Sequence, residues 1–149
     1  MKDLFKKIFN QNKPVIIAGP CSAESEKQVL ETAHQLKKHK NLIFRAGIWK
    51  PRTRPHSFEG VGEKGLKILQ LAKKETGLKT TTEVAKAAHV SLAIKHQVDI
   101  VWIGARTTGN PFAIQEIIKR CRMAVIEVKP AMTDRLLSSW SMTFAFSMP

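Results

Sequence analysis

Cysteine, long apolar runs and acidic residues are all scarce in this 149-residue chain. Cysteine occurs twice, as Cys21 and Cys121. Two thiols so far apart build no disulfide framework, which excludes the stapled secreted scaffolds and makes a reducing cytoplasm the expected compartment. The run Val15-Ile16-Ile17-Ala18 is too short for a secretory core and far short of a membrane span. The basic, amphipathic start, Met1 to Phe9, reads as a short helix leading into the domain. Pro20, directly before Cys21, argues against a lipoprotein cleavage site. Acids number 12 against 25 Lys and Arg, a net charge of +13. That imbalance favours anionic partners: nucleic acid, acidic lipid or phosphorylated metabolites.

What is present reads as one domain with alternating elements. Val15 to Ala18 has the β-branched, continuous character of a strand buried on both faces. Ser25-Glu26-Lys27-Gln28 fits a capping box, and Val29, Leu30, Ala33 and Leu36 carry a helix to about His39. Leu42-Ile43-Phe44 is a second strand. Gly62 to Thr76 is a helix with Leu66, Leu69 and Ala72 on one face and solvated Lys67, Lys73 and Lys74 on another, stopped by Gly77. Lys79 to Val84 is a third strand, Ala85 to Gln97 a helix, and Asp99 to Ile103 a fourth strand. Asn110 and Pro111 then supply the cap and first position of a helix that runs to about Cys121. Four β-α repeats with buried-type strands predict a parallel sheet with helices outside it.

Both an open doubly wound sheet and a (β/α)8 barrel begin this way. The turn after the first strand, Gly19-Pro20-Cys21-Ser22-Ala23-Glu24-Ser25, lacks the Gly-rich phosphate pattern of the doubly wound nucleotide folds. Instead, polar residues stand at every strand exit: Cys21 and Glu24, Arg45 and Lys50, Glu83, and Arg106. Polar groups converging at strand ends are the arrangement of a barrel active site. The exit of the second strand is the most basic stretch, with Arg45, Lys50, Arg52 and Arg54 preceding the next acid, Glu59. Its prolines and glycines exclude a helix, and Trp49 and Phe58 are expected to pack it down. Guanidinium forks and ammonium groups gathered at one mouth call for a phosphate or carboxylate between them; the competing reading is a surface basic patch. Cys21 is either a buried structural thiol or a thiolate metal ligand, and spacing leaves both open. His34, His39, His89 and His96 fall on helix positions as solvated or satisfied residues, and His56 is a weak ligand candidate in the basic loop.

Four segments carry a family resemblance: Gly19-Pro20-Cys21-Ser22-Ala23-Glu24-Ser25, Arg45-Ala46-Gly47-Ile48-Trp49-Lys50-Pro51-Arg52-Thr53, Thr82-Glu83-Val84 and Ile103-Gly104-Ala105-Arg106-Thr107. In this order they resemble 3-deoxy-arabino-heptulosonate 7-phosphate (DAHP) synthase. The branch is the bacterial one similar to 3-deoxy-manno-octulosonate 8-phosphate synthase and sometimes fused to chorismate mutase. The related octulosonate enzyme carries a Lys-Ala-Asn-Arg type sequence where this chain has Lys50-Pro51-Arg52-Thr53. The resemblance covers about residues 13 to 117 and implies a (β/α)8 barrel of the aldolase type. It also implies the first shikimate-pathway reaction, condensing phosphoenolpyruvate with erythrose 4-phosphate. It implies Arg45 and Lys50 as catalytic groups, with Arg45, Lys50 and Arg106 on phosphoenolpyruvate and Gly104 and Ala105 as further substrate-binding residues. Pro51, Arg52 and Thr53 are implied on the aldose phosphate. Cys21 is implied as one ligand of a divalent metal of the Mn, Fe, Co or Zn class. A homo-oligomer is implied for the full-length enzyme, with no nucleic-acid or membrane partner.

The departures from the family set further expectations. The four units are used up by Cys121, whereas a complete barrel takes roughly 250 residues. The chain therefore reads as a lead-in (1–13), the N-terminal half of a barrel (14–121) and a divergent tail (122–149). Ala124 to Val128 is a candidate fifth strand, and Val128-Lys129-Pro130 is a damaged echo of a family Lys-Asn-Pro motif. Beyond it the sequence is aperiodic, as a shifted reading frame or truncated product would be. The family's remaining metal ligands belong to the missing half, so the ligand set is incomplete and the fragment is expected to be inactive alone. It is also expected to leave two sheet edges open. The alternatives are a non-catalytic interaction or regulatory fragment and, on charge alone, a basic nucleic-acid-binding domain.

Overall fold

The computed structural model describes residues 14–54, 56–123 and 144–147. The elements in chain order are β1 (Ile16–Ala18), α1 (Glu26–Leu36), β2 (Leu42–Arg45), α2 (Glu63–Thr76), β3 (Lys79–Val84), α3 (Ala87–Lys95), β4 (Ile100–Ile103), a one-turn α4 (Ala105–Thr108), α5 (Pro111–Met123) and β5 (Phe144–Ser147). The sheet runs in sequential order, β1-β2-β3-β4-β5. The first three pairings are parallel and the last is antiparallel. Four parallel strands in sequence order, each followed by a helix, form an arc of a (β/α)8 barrel.

Local chemistry sets the boundaries. Ser25 caps α1 by accepting from the Gln28 amide at 3.2 Å, and the Gln28 side chain reaches back to the Glu24 amide at 3.0 Å. The helix stops at Leu36, short of His39. Gly77 ends α2 with φ 71°, a left-handed conformation that costs glycine nothing. Asn110 caps α5 through its Oδ1, which accepts from the Ala113 amide.

Parallel register separates two faces of the sheet. Phe44, Val84, Val101 and Ile103 join Val29, Ala33, Leu66, Leu69, Ala72, Val90, Ala93 and Ile117 in one apolar cluster between sheet and helices. Ile43 and Ile100 are equally buried but stand outside that cluster. They share the opposite face with Arg45, Thr81, Glu83 and Trp102, as strand alternation requires. That opposite face is the one a closed barrel turns inward.

Several expectations are corrected here. β1 is not buried on both faces: Ile16 and Ile17 are 44% and 51% exposed. It is the edge strand of the described sheet, and Ile16 and Ile17, on opposite faces by strand alternation, are both left exposed. The β4 edge, expected to be open, is paired, because Phe144–Ser147 lies antiparallel along it. The candidate strand Ala124–Val128 and Lys129 lie outside the described residues. Lys73 is not a solvated lysine. It donates to Asp99 at 2.8 Å and to the Gln97 carbonyl, and Asp99 also accepts from the Thr80 amide and hydroxyl at 2.8 and 3.0 Å. This network ties α2, β3 and the approach to β4 at the N-terminal ends of the strands, where barrel residues serve stability.

His89 is a buried packing residue. Its ring lies flat on Trp49, with centroids 4.0 Å apart, and its Nδ1 accepts from the Ala85 amide. Burial drives its pKa down to about 4, so it packs as the neutral imidazole. The folded protein therefore resists a proton that the unfolded chain accepts near pH 6.5. Stability from this source is complete above about pH 6.5 and falls as pH drops toward 4. The loss reaches on the order of 3 kcal/mol. Thermal unfolding followed by circular dichroism between pH 7 and 4.5 should show this fall. It should be flatter in His89→Gln; equal pH slopes for the two proteins would contradict the assignment.

Candidate active site

The loops after β1 and β2 are built as one piece. The Ala23 amide donates to the Gly47 carbonyl at 3.0 Å, and the Gly47 amide donates to the Pro20 carbonyl at 3.2 Å. A Cβ on Gly47 would collide with the carbonyl of Cys21, so only glycine permits this approach. Further along, the basic loop is zipped shut. The Lys50 amide donates to the Glu59 carbonyl at 2.8 Å, and Arg52 Nε donates to the Phe58 carbonyl at 3.0 Å. Trp49 anchors the loop from below, whereas Phe58, expected to pack, is 48% exposed. The loop's shape is held by backbone hydrogen bonds, the Arg52 side-chain bond to Phe58 and the buried Trp49.

This frame brings Lys50 onto Cys21. The ammonium donates to the Cys21 carbonyl at 2.6 Å and meets its Sγ at 3.1 Å. Cys21 is exposed, not the buried thiol of the alternative reading. The Lys50 hydrogen bond and charge hold its pKa below the ordinary thiol value, with smaller help from Arg45 and Arg52. Cys121 is the opposite case: it lies within α5, fully buried in the apolar cluster, and desolvation raises its pKa to about 11.

Arg45 points from the end of β2 onto the inward face, its guanidinium 5.4 Å from the centre of the Trp102 ring. Its Nε is buried without a hydrogen-bond partner among the described residues, and the Thr81 hydroxyl is in the same state. Glu83 lies on the same face. It is buried, and it joins none of the ion pairs among the described residues. Burial pushes its pKa up, opposed by the charges of Lys50, Arg106 and Arg45. Arg106 stands exposed in the first turn after β4, and Ala105 beside it is exposed too. Gly104 is buried against the Glu83 carboxylate, which occupies the space a Cβ would need.

The sequence-derived residues therefore divide. Cys21, Lys50, Arg45, Glu83, Gly104 and Arg106 gather around the exits of β1 to β4. Arg52 and Thr53 lie in the exposed part of the basic loop, with Pro51 partly covered. Glu24 and His56 are exposed, and His56 adopts φ 59°. Trp102 was not anticipated, because its place under Arg45 depends on the pairing of β2, β3 and β4.

These residues can hold a phosphate or carboxylate between one ammonium and two guanidinium groups. As a metal site they are less complete. Cys21, with its favoured thiolate, has the chemistry of one soft donor. Among the described residues no three His, Cys, Asp or Glu side chains cluster to complete a site. The described residues alone thus do not fit a resident metal.

Fold and site together define a barrel-type protein with a basic mouth, and comparison with known proteins specifies the class. Residues 6–145 match the model of the DAHP synthetase I family, and the chain belongs to that family. It is 42% identical over 95 residues to phospho-2-dehydro-3-deoxyheptonate aldolase of Thermotoga maritima, a match covering 64% of this chain and 28% of that protein. It is 39% identical over 106 residues to 2-dehydro-3-deoxyphosphooctonate aldolase of Caulobacter vibrioides, covering 66% and 37%. The crystal structure of the Thermotoga DAHP synthase superposes with a TM-score of 0.62 at 38% identity, over 71% of this chain and 31% of that one. The chain thus spans about a third of the length of these relatives. No described helix is long and apolar enough to cross a membrane.

The Cys21–Lys50 contact is directly testable. Iodoacetamide at pH 7 should label Cys21 and spare Cys121 in the native protein. Lys50→Met should slow Cys21 labelling severalfold, because the thiolate loses its counter-charge. Equal labelling rates, read by mass spectrometry, would dissociate the two residues.

Proposed function

We propose that this chain carries the phosphoenolpyruvate-binding half of a 3-deoxy-7-phosphoheptulonate synthase. The observation that carries this reading is the convergence of Lys50, Arg106 and Arg45 on one mouth, with buried polar atoms of Arg45 and Thr81 left without partners among the described residues. Phosphoenolpyruvate offers a phosphate and a carboxylate on adjacent groups, which matches such a set of cations. The charges sit at strand ends, not along an exposed helix, which favours a small anion over nucleic acid. Two free thiols accord with a reducing cytoplasm.

In the reaction, C3 of phosphoenolpyruvate attacks the aldehyde carbon of erythrose 4-phosphate, forming the new C–C bond. Water adds at C2, and loss of the C2–O phosphate ester bond releases inorganic phosphate and leaves the ketone. Arg45, Lys50 and Arg106 hold the first substrate and offset the charge of the second as it arrives. Arg52 and Thr53, in the exposed part of the loop, receive the aldose phosphate. The Arg52 hydrogen bond to Phe58 fixes the near edge of its guanidinium and leaves the far edge for a ligand. Lys50-Pro51-Arg52-Thr53 favours erythrose 4-phosphate over the pentose phosphate of the octulosonate relatives. Cys21 is the single candidate metal donor that the described site supplies.

Phosphoenolpyruvate binding tests the site, and turnover tests the chain. Calorimetry should detect phosphoenolpyruvate binding that Arg106→Ala weakens at least tenfold, the loss expected for one charge-assisted contact of about 1.5–3 kcal/mol. Phosphate release with manganese and either erythrose 4-phosphate or arabinose 5-phosphate should stay near background for this chain alone. Turnover at rates usual for enzymes would refute the proposed dependence on a second half. Turnover with the pentose phosphate alone would overturn the substrate choice.

A further inference from the structure

Glu83 is an acid set among the cations of the mouth. It is a buried residue, its carboxyl group seated against Gly104, and it is engaged in no ion pair among the described residues. The charged groups whose fields reach it are Lys50 from the loop after β2, Arg106 from α4 and Arg45 from β2. Trp102, its register partner on β4, and Thr81 on its own strand do not titrate in the working range. A carboxylate in this position lowers the cost of holding three cations together while no ligand is present. It also opposes any anion that enters among them.

We propose that Glu83 is a proton-accepting counter-ion for the anion site, so that a dianion entering among Lys50, Arg106 and Arg45 is accompanied by uptake of one proton at Glu83. The proposal rests on the anion-site reading above. The balance is simple: one carboxylate and one proton from solvent become one carboxylic acid, and no bond to the ligand forms or breaks. Its physical cause lies in the opposing influences on the group. Burial favours the protonated form, and the three cations hold it back. A bound dianion neutralises those cations, and burial is then unopposed. Affinity and protonation are thereby linked: the anion binds more tightly as pH falls, and Glu83 is a stronger base in the liganded protein.

Sulfate is the suitable probe, because it stays a dianion across the pH range used, and phosphoenolpyruvate serves as the second ligand. Calorimetric titration of the whole chain at pH 7, in buffers of different ionisation enthalpy, should show net proton uptake approaching one per sulfate bound. The wild-type affinity for sulfate should fall as pH rises from 6 to 8. Glu83→Gln keeps the shape but carries no charge; it should bind sulfate at least threefold more tightly than wild type at pH 8, without proton uptake. Uptake that persists in Glu83→Gln assigns the proton elsewhere, with Cys21 beside Lys50 the first suspect, and overturns the proposal. Binding of sulfate and phosphoenolpyruvate to the wild type with no proton uptake overturns it while leaving the anion site standing. Failure of the wild type to bind either anion removes the site and the linkage together. The wild-type proton count and pH profile decide the matter even where Glu83→Gln does not fold.

Discussion

The constraint on which this site depends is a concentration of positive charge that the described residues do not neutralise. Lys50, Arg106 and Arg45 face one mouth, and the buried acid among them pairs with none. Like charges held together raise the energy of the folded chain, and buried polar atoms left without partners raise it further. Such an arrangement persists only where stability comes from elsewhere. Here it comes from the helix-side apolar cluster and from the other end of the strands. There, Lys73, Asp99 and Thr80 meet in a network where the charges are paired and Asp99 accepts from Thr80. At β3 and β4 the N-terminal ends are tied by paired charges, and the C-terminal ends of the strands carry the basic mouth. That polarity separates stability from chemistry in barrel proteins.

Much of this was legible in the sequence because it is local. The bounds of β3, the caps at Ser25 and Asn110, and the stop at Gly77 follow from residues within a few positions of each other. The basic loop announced itself by composition. Glu83 was visible as a strand-end acid, but its burial and lack of a partner were not, because both depend on β2 and β4 lying on either side. Trp102 under Arg45 and Trp49 on His89 join residues 57 and 40 positions apart, read from their numbering. Register creates those contacts, and no short window of sequence contains them. Lys73 was misread for the same reason: three lysines on a helix look alike until one of them meets Asp99.

β1 shows the limit of pattern reading most plainly. Val15 to Ala18 has the composition of a strand covered on both sides, and the composition is that of a position inside a closed sheet. In the described structure β1 is an edge, and Ile16 and Ile17, which point to opposite faces of the sheet, are both exposed. Sequence pattern reports the environment a segment is suited to. The fold reports the environment that the described neighbours provide.

The other side of the sheet bears on how the site is built. β5 pairs with β4 through Phe144 opposite Ile103 and Ser147 opposite Ile100. Pairing of this kind satisfies the backbone of β4 as well as a parallel neighbour would. Chemically the two are not equivalent. In a parallel array each strand ends at the mouth and delivers the residue that follows it there, as β2 delivers Arg45 and Lys50 and β4 delivers Arg106. An antiparallel strand begins at the mouth and ends at the far side, so its exit adds no group to the site. The described mouth is therefore furnished by the exits of β1 to β4 alone, with Cys21 as its single candidate metal donor. Its cations have the chemistry the proposed anion calls for, and the donors among the described residues do not by themselves complete a metal site.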